Sequence, residues 1–134
     1  MNFKMSEIHL KIDWSEMDLF GHVNNVAYFK YFQAARVNFC ESVGINTYNP
    51  NNKQSFAVAN SNCDFKQPLY YPEDISITTT IGWIKNSSFK LIHILFNSKK
   101  ELIANASDVI VLFDYATHTK IFISENIKSK MNEV

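Results

Sequence analysis

Apolar side chains recur at helical spacing in one long stretch of the chain. From 25 to 43, Phe29, Phe32, Phe39 and Val43 repeat with the period of a helix face. Asn24 stands where an N-cap belongs, and Gly44 where a left-handed residue ends a helix. Ala27, Tyr28, Tyr31, Ala34 and Ala35 fill other faces, so the spacing predicts a helix buried nearly all round, which something must wrap.

Elsewhere the period is closer to two. Residues 7–14 place Ile8, Leu10, Ile12 and Trp14 on one face of a half-buried strand. Residues 56–66, 74–85, 88–97 and 103–115 are rich in strand formers, with Asn86-Ser87 and Ser98-Lys99-Lys100-Glu101 as turns. Between Ile75 and Trp83 the apolar residues take the odd positions, broken only by Thr79, so one face packs and the other is wetter. Pro68 and Pro72 bracket Leu69-Tyr70-Tyr71 and make the chain bend between two strands. A turn-rich loop fills 46–55, and a short polar helix over 124–131 closes the end. These elements predict an α+β fold: one long central helix wrapped by a curved antiparallel sheet of about five strands, in a single domain over residues 1–134.

Composition narrows the function more than the fold. With 134 residues and 46% hydrophobic side chains there is material for one packed core. Thirteen basic residues balance thirteen acidic ones without a long basic run, which disfavours nucleic acid and membrane surfaces as partners. No apolar stretch suits a membrane span, and residues 1–10 lack the apolar core of a signal peptide, so the expected location is the cytoplasm. Cys40 and Cys63 share no metal-binding or redox spacing and read as reduced core thiols. The lone arginine, against twelve lysines, is Arg36.

Chemistry concentrates in the turn Asp18-Leu19-Phe20-Gly21-His22-Val23-Asn24-Asn25. There a bend at Gly21 can present a carboxylate beside the free backbone N–H groups of a helix start. An acid next to an oxyanion site points to hydrolysis. No serine stands two positions after Gly21, Gly44 or Gly82, where Val23, Asn46 and Ile84 are found, which removes a GxSxG nucleophile elbow; a phosphate-binding glycine loop is also missing.

Asp18-x-x-Gly21-His22-Val23-Asn24-Asn25-x-x-Tyr28, followed by Tyr31-Phe32-x-x-Ala35-Arg36 and a strand ending near Pro68, resembles the hotdog-fold acyl-CoA thioesterases of the 4-hydroxybenzoyl-CoA thioesterase group, over nearly the whole chain. The resemblance implies that Asp18 attacks the thioester carbonyl or activates a water, and that the backbone N–H at Asn25 polarises the carbonyl oxygen. His22 then belongs to the catalytic turn, while Asn24 and Tyr28 face the substrate. It implies an acyl-CoA or acyl-carrier-protein thioester as substrate, no cofactor and no metal, and a homodimer or homotetramer with the site at the subunit interface. Two departures stand out: Gln33 where many relatives have Glu, which removes a possible ionic partner for Arg36, and Pro72-Glu73-Asp74 where Pro-x-Gly-Asp is common.

Plainer readings stand beside these. Asp18 also suits an Asx turn, and His22 a turn residue bonded to nearby backbone. His9, His93 and His118 have no partner at metal-ligand spacing and read as ordinary strand or loop residues. Tyr28, Phe29, Tyr31, Phe32 and Phe39 suit a core as well as an acyl pocket, and Lys85, Lys90, Lys99 and Lys100 suit a solvated face. Two alternatives remain open: a protein that binds acyl thioesters without hydrolysing them, and a dehydratase. The latter calls for an acid on the central helix, where 25–43 offers Glu41 alone.

Overall fold

A computed structural model describes residues 3–132. Strand β1 (Ser6–Lys11) leads through a 3-10 turn (Trp14–Glu16) into helix α1 (Asn25–Ser42). Strands β2 (Gln54–Phe65), β3 (Asp74–Ile84), β4 (Ser88–Phe96) and β5 (Leu102–Asp114) follow, then the short β6 (Thr119–Lys120) and helix α2 (Glu125–Met131). The strands form one antiparallel sheet in the order β1-β3-β4-β5-β2, with β6 on β5. Strands β2 to β5 and both helices lie within a residue or two of the expected bounds, whereas β1 stops three residues short of the expected end at Trp14. β6 is additional, being too short to show any alternation.

Helix α1 begins where Asn24 Oδ1 accepts the Val26 N–H at 2.9 Å. It ends in a Schellman motif: Gly44, at φ +87°, donates its N–H to Glu41 O, and Ile45 donates to Cys40 O. The buried positions Ala27, Tyr28, Tyr31, Phe32, Ala35, Phe39 and Cys40 form one stripe, which lies over β1, β3 and β4. Burial all round is therefore corrected: Val26, Phe29 and Gln33 face outward, because the sheet covers only one side of the helix. Trp14 departs from expectation as well. β1 ends at Lys11, the 3-10 turn carries the chain off the sheet, and Trp14 is 71% exposed.

The apolar core has two parts. Tyr28, Tyr31 and Phe32 meet Ile75, Ile77, Leu95 and Ile103 under the first half of α1. Phe39, Cys40 and Val43 meet Ile81, Phe89, Leu91, Ile110 and Met131 under the second. Strand register places a polar row between them: Thr79 lies between Ile77 and Ile81, His93 between Leu91 and Leu95, and Asp108 between Ala106 and Ile110. Among the described residues no helix is long and apolar enough to cross a membrane.

Candidate active site

The turn after the 3-10 segment is built by Asp18 itself. Its Oδ1 accepts the N–H groups of Phe20 (2.9 Å) and His22 (3.0 Å), while its own N–H donates to His22 O at 2.7 Å. Gly21 sits at φ +83° with open space where a Cβ would project, so the backbone angle alone explains the glycine. Both readings of Asp18 are thus compatible: Oδ1 makes the Asx turn, and Oδ2 has no hydrogen-bond partner among the described residues.

Two further strands of contact seat the turn. Val23 donates to Leu69 O at 2.9 Å and His22 bridges to Tyr70, whose ring meets the imidazole edge-on at 5.2 Å. The bend between Pro68 and Pro72 therefore forms a wall of the site. Beyond the turn, Asn24 Oδ1 takes the Val26 N–H and Asn24 O takes the Ala27 N–H, whereas the Asn25 N–H has no acceptor among the described residues. That free donor lies at the positive end of the α1 dipole.

Asp18, His22, Asn25 and Tyr28 line one cleft of about 360 Å³, together with Val23, Phe65, Lys66, Gln67 and Pro68. Tyr28 is buried, its ring edge-on to Phe65 at 4.9 Å; burial raises its hydroxyl pKa, so it is a neutral wall residue near pH 7. Asn24 does not line this cleft, its carboxamide oxygen being engaged in the helix cap. Asp18 also lines a second cleft of about 620 Å³, with Trp14, Met17, Leu19 and Tyr71 among its walls. Asp18 thus borders both clefts.

The structure also brings out residues that the sequence left unassigned. Glu16 accepts from Tyr31 Oη (2.7 Å), Asp13 N–H (2.9 Å) and Lys30 Nζ (3.2 Å). The Asp13…Glu16 spacing of a capping box was the available signal. The polar row is the second. His93 is no ordinary strand residue: fully buried, it bonds Thr79 Oγ1 through Nδ1 and Asp108 Oδ2 through Nε2, both at 2.8 Å, and stacks on Phe32. Arg36 reaches the same Asp108 Oδ2 at 3.0 Å, and Ser61 donates to Oδ1 at 2.9 Å. Arg36 thus has a partner on β5 without an acid at position 33. Burial pushes the Asp108 carboxyl up, but His93, Arg36 and Ser61 outweigh it and hold its pKa below the ordinary value. The two thiols differ in burial: Cys40 is enclosed and its pKa is pushed up to about 12, whereas Cys63 is half-buried.

Residues 12–131 match the model of the thioesterase-like superfamily. The chain is 29% identical over 82 residues to the uncharacterized protein YsmA of Bacillus subtilis, a match covering 61% of this chain and 54% of that one. It thus spans about half the length of that relative. It is 30% identical over 131 residues to the acyl-acyl carrier protein thioesterase ATL3, chloroplastic, of Arabidopsis thaliana, covering 94% of this chain and 68% of that protein. Among solved structures, DHNA-CoA thioesterase from Staphylococcus aureus superposes with a TM-score of 0.81 at 20% identity, over 88% of this chain and 80% of that one, a likeness of fold.

Proposed function

This chain belongs to the thioesterase-like superfamily, with a hotdog arrangement of helix and sheet, and on that premise we propose that it hydrolyses an acyl thioester of coenzyme A or an acyl-carrier protein at Asp18. The observation that carries the reading is the pairing, in one cleft, of a carboxylate with one oxygen uncommitted and a helix-start N–H without an acceptor.

In this mechanism the thioester carbonyl oxygen accepts the Asn25 N–H, which stabilises the negative charge that develops there on attack. Asp18 Oδ2 either attacks the carbonyl carbon or takes a proton from a water that does. Collapse of the tetrahedral adduct breaks the C–S bond and expels the thiolate. On the first route water then hydrolyses the acyl-aspartyl anhydride; on the second the acid forms at once. Because a thiolate leaves readily, one carboxylate and one fixed dipole suffice without a metal or serine nucleophile. His22, edge-on to Tyr70, holds the turn's shape, and Tyr28 and Phe65 present an apolar wall to the acyl or pantetheine arm. That Asp18 lines two clefts accords with a thioester's two arms.

A second copy of the chain completes the assembly in this proposal. β2 is a 12-residue edge strand, hydrogen-bonded to β5 on one side only and exposed at Asn60, Ser61 and Asn62. A long unpaired edge of this kind invites a partner strand. The buried His93–Asp108 pair does not favour a dehydratase, since neither residue lines a cleft beside Asp18.

Free-thiol release from acyl-CoAs and acyl-carrier-protein thioesters tests the assignment. Asp18→Asn suits the comparison better than Asp18→Ala, because its side-chain oxygen still accepts the Phe20 and His22 N–H groups. Turnover is expected to fall roughly a hundredfold or more with the fold intact. A folded Asp18→Asn protein with wild-type turnover excludes Asp18 as base or nucleophile.

A further inference from the structure

The carboxylate and the N–H that the proposed reaction requires stand on different elements, and the tip of the turn between them, Leu19 to Gly21, stands away from the core. Leu19 is 92% exposed and Phe20 81%, and the bend at Gly21 has no side chain to pack. Asp18 Oδ1 fixes the turn's internal shape but not its place relative to α1. An error of about 1 Å between reacting groups can cost a hundredfold in rate. Met17 bridges Val23 across the base of the turn, and His22 and Val23 bond to Tyr70 and Leu69, which ties the turn to the 68–72 bend; its spacing from α1 calls for a contact with the helix itself.

Glu16, two residues before Asp18, is bonded from both sides. Its backbone carbonyl accepts the N–H of Asn24, the residue before Asn25, at 2.8 Å. Its Oε1 accepts the Tyr31 hydroxyl at 2.7 Å and the Asp13 N–H at 2.9 Å, and its Oε2 accepts Lys30 Nζ at 3.2 Å. Three of these four bonds join the 3-10 turn to the beginning of α1. The anchor on the helix is firm, because Tyr31 is buried in the core with Tyr28 and Phe32. The side chain of Glu16 is only 9% exposed, although its neighbour Trp14 stands in solvent. A capping box accounts for the Asp13 bond alone; it does not call for Tyr31 or Lys30. Three donors converge on two oxygens, the arrangement that suits an ionised, acceptor-only carboxylate.

From this bonding we infer that Glu16 is a positioning residue, which locks the Asp18 turn to the start of α1 and so sets the distance between the attacking carboxylate and the Asn25 N–H. The inference rests on the proposed roles of Asp18 and Asn25. The charge state agrees with it: burial pushes Glu16 up, yet the bonds from Tyr31, Asp13 and Lys30 outweigh burial and hold its pKa below the ordinary carboxylate value.

The test compares Glu16→Ala, Glu16→Gln, Tyr31→Phe and Asp18→Asn with wild type, measuring kcat and KM on a hydrolysed thioester and the order parameters of backbone amides by NMR. Glu16→Ala is expected to lower kcat about tenfold or more with KM within about twofold, since remote contacts still bind the substrate. Glu16→Gln, which keeps an oxygen for Tyr31 and Asp13, is expected to recover most of that loss. Tyr31→Phe, which deletes one hydroxyl, is expected to lower kcat severalfold and decides the matter if Glu16→Ala does not fold. Amide order parameters over 18–25 are expected to drop in Tyr31→Phe and in Glu16→Ala, while those of β4 stay unchanged, a readout that needs no substrate. Wild-type kcat and unchanged order parameters in a folded Glu16→Ala or Tyr31→Phe protein overturn the inference. An inactive Asp18→Asn beside them leaves the assignment of Asp18 standing, whereas a fully active Asp18→Asn removes that assignment itself.

Discussion

Asp108 shows how a single residue can hold four strands and a helix to one geometry. Fully buried on β5, it accepts from Ser61 on β2, His93 on β4 and Arg36 on α1, and His93 passes the chain of bonds on to Thr79 on β3. Removing it leaves a guanidinium and an imidazole buried without their acceptor, so Asp108→Ala is expected to cost about 3–5 kcal/mol in urea unfolding. Its pKa is held low, so its contribution is complete above the unfolded carboxylate value of about 4 and is lost as pH falls through the lower folded value. Wild type is therefore expected to lose urea resistance steeply below about pH 4, and Asp108→Asn to show a shallower slope there. At this scale the sequence was legible only in part. Asp18, Gly21 and Asn24 make their turn and cap through near neighbours, and that chemistry shows in adjacent letters. Glu16 and His93 act through Tyr31, Lys30, Thr79 and Asp108, partners that come within reach only after the chain folds back. The break in alternation at Thr79 was the visible trace of the polar row.

Helix α1 carries the prospective oxyanion donor at its start and is finished by local devices at both ends. Those devices, the Asn24 cap and the Gly44 stop, explain why its bounds could be read closely from the sequence. Its outward face could not. Val26 and Phe29 are apolar yet exposed, and nothing in a run of apolar letters says which side a sheet will cover. The same blindness placed Trp14 on β1, where a capping segment from Asp13 to Glu16 instead turns the chain away. Gly44→Ala tests the stop directly. Its φ of +87° suits glycine, and the nearest group to an added Cβ is the mobile end of Lys130 at 3.5 Å, so strain rather than a clash sets the cost. A loss of about 1 kcal/mol in unfolding free energy is expected, with turnover unchanged, because the Asp18 turn proposed as the site lies at the other end of the helix.

The molecule as a whole presents an open edge and an exposed apolar fringe. β2 pairs on one side only, and Val26, Phe29 and Phe65 are exposed at the same end of the molecule as the cleft, the two phenyl rings 6.5 Å apart. Light scattering at micromolar concentration is expected to give a dimer or a tetramer; a monomer would contradict pairing along β2. That one helix packs on an antiparallel sheet was legible because the change from helical to strand period runs the length of the chain. The open flank depends on which strands the helix covers, and emerges only from the assembled sheet. The measurement that bears most directly on function is thiol release from a panel of short, long and aromatic acyl-CoAs and acyl-carrier-protein thioesters, by wild type and Asp18→Asn side by side. The account predicts turnover by wild type on at least one class and a loss of roughly a hundredfold or more in the folded variant. Equal rates in the two proteins, or no release from any thioester by folded wild type, would contradict it.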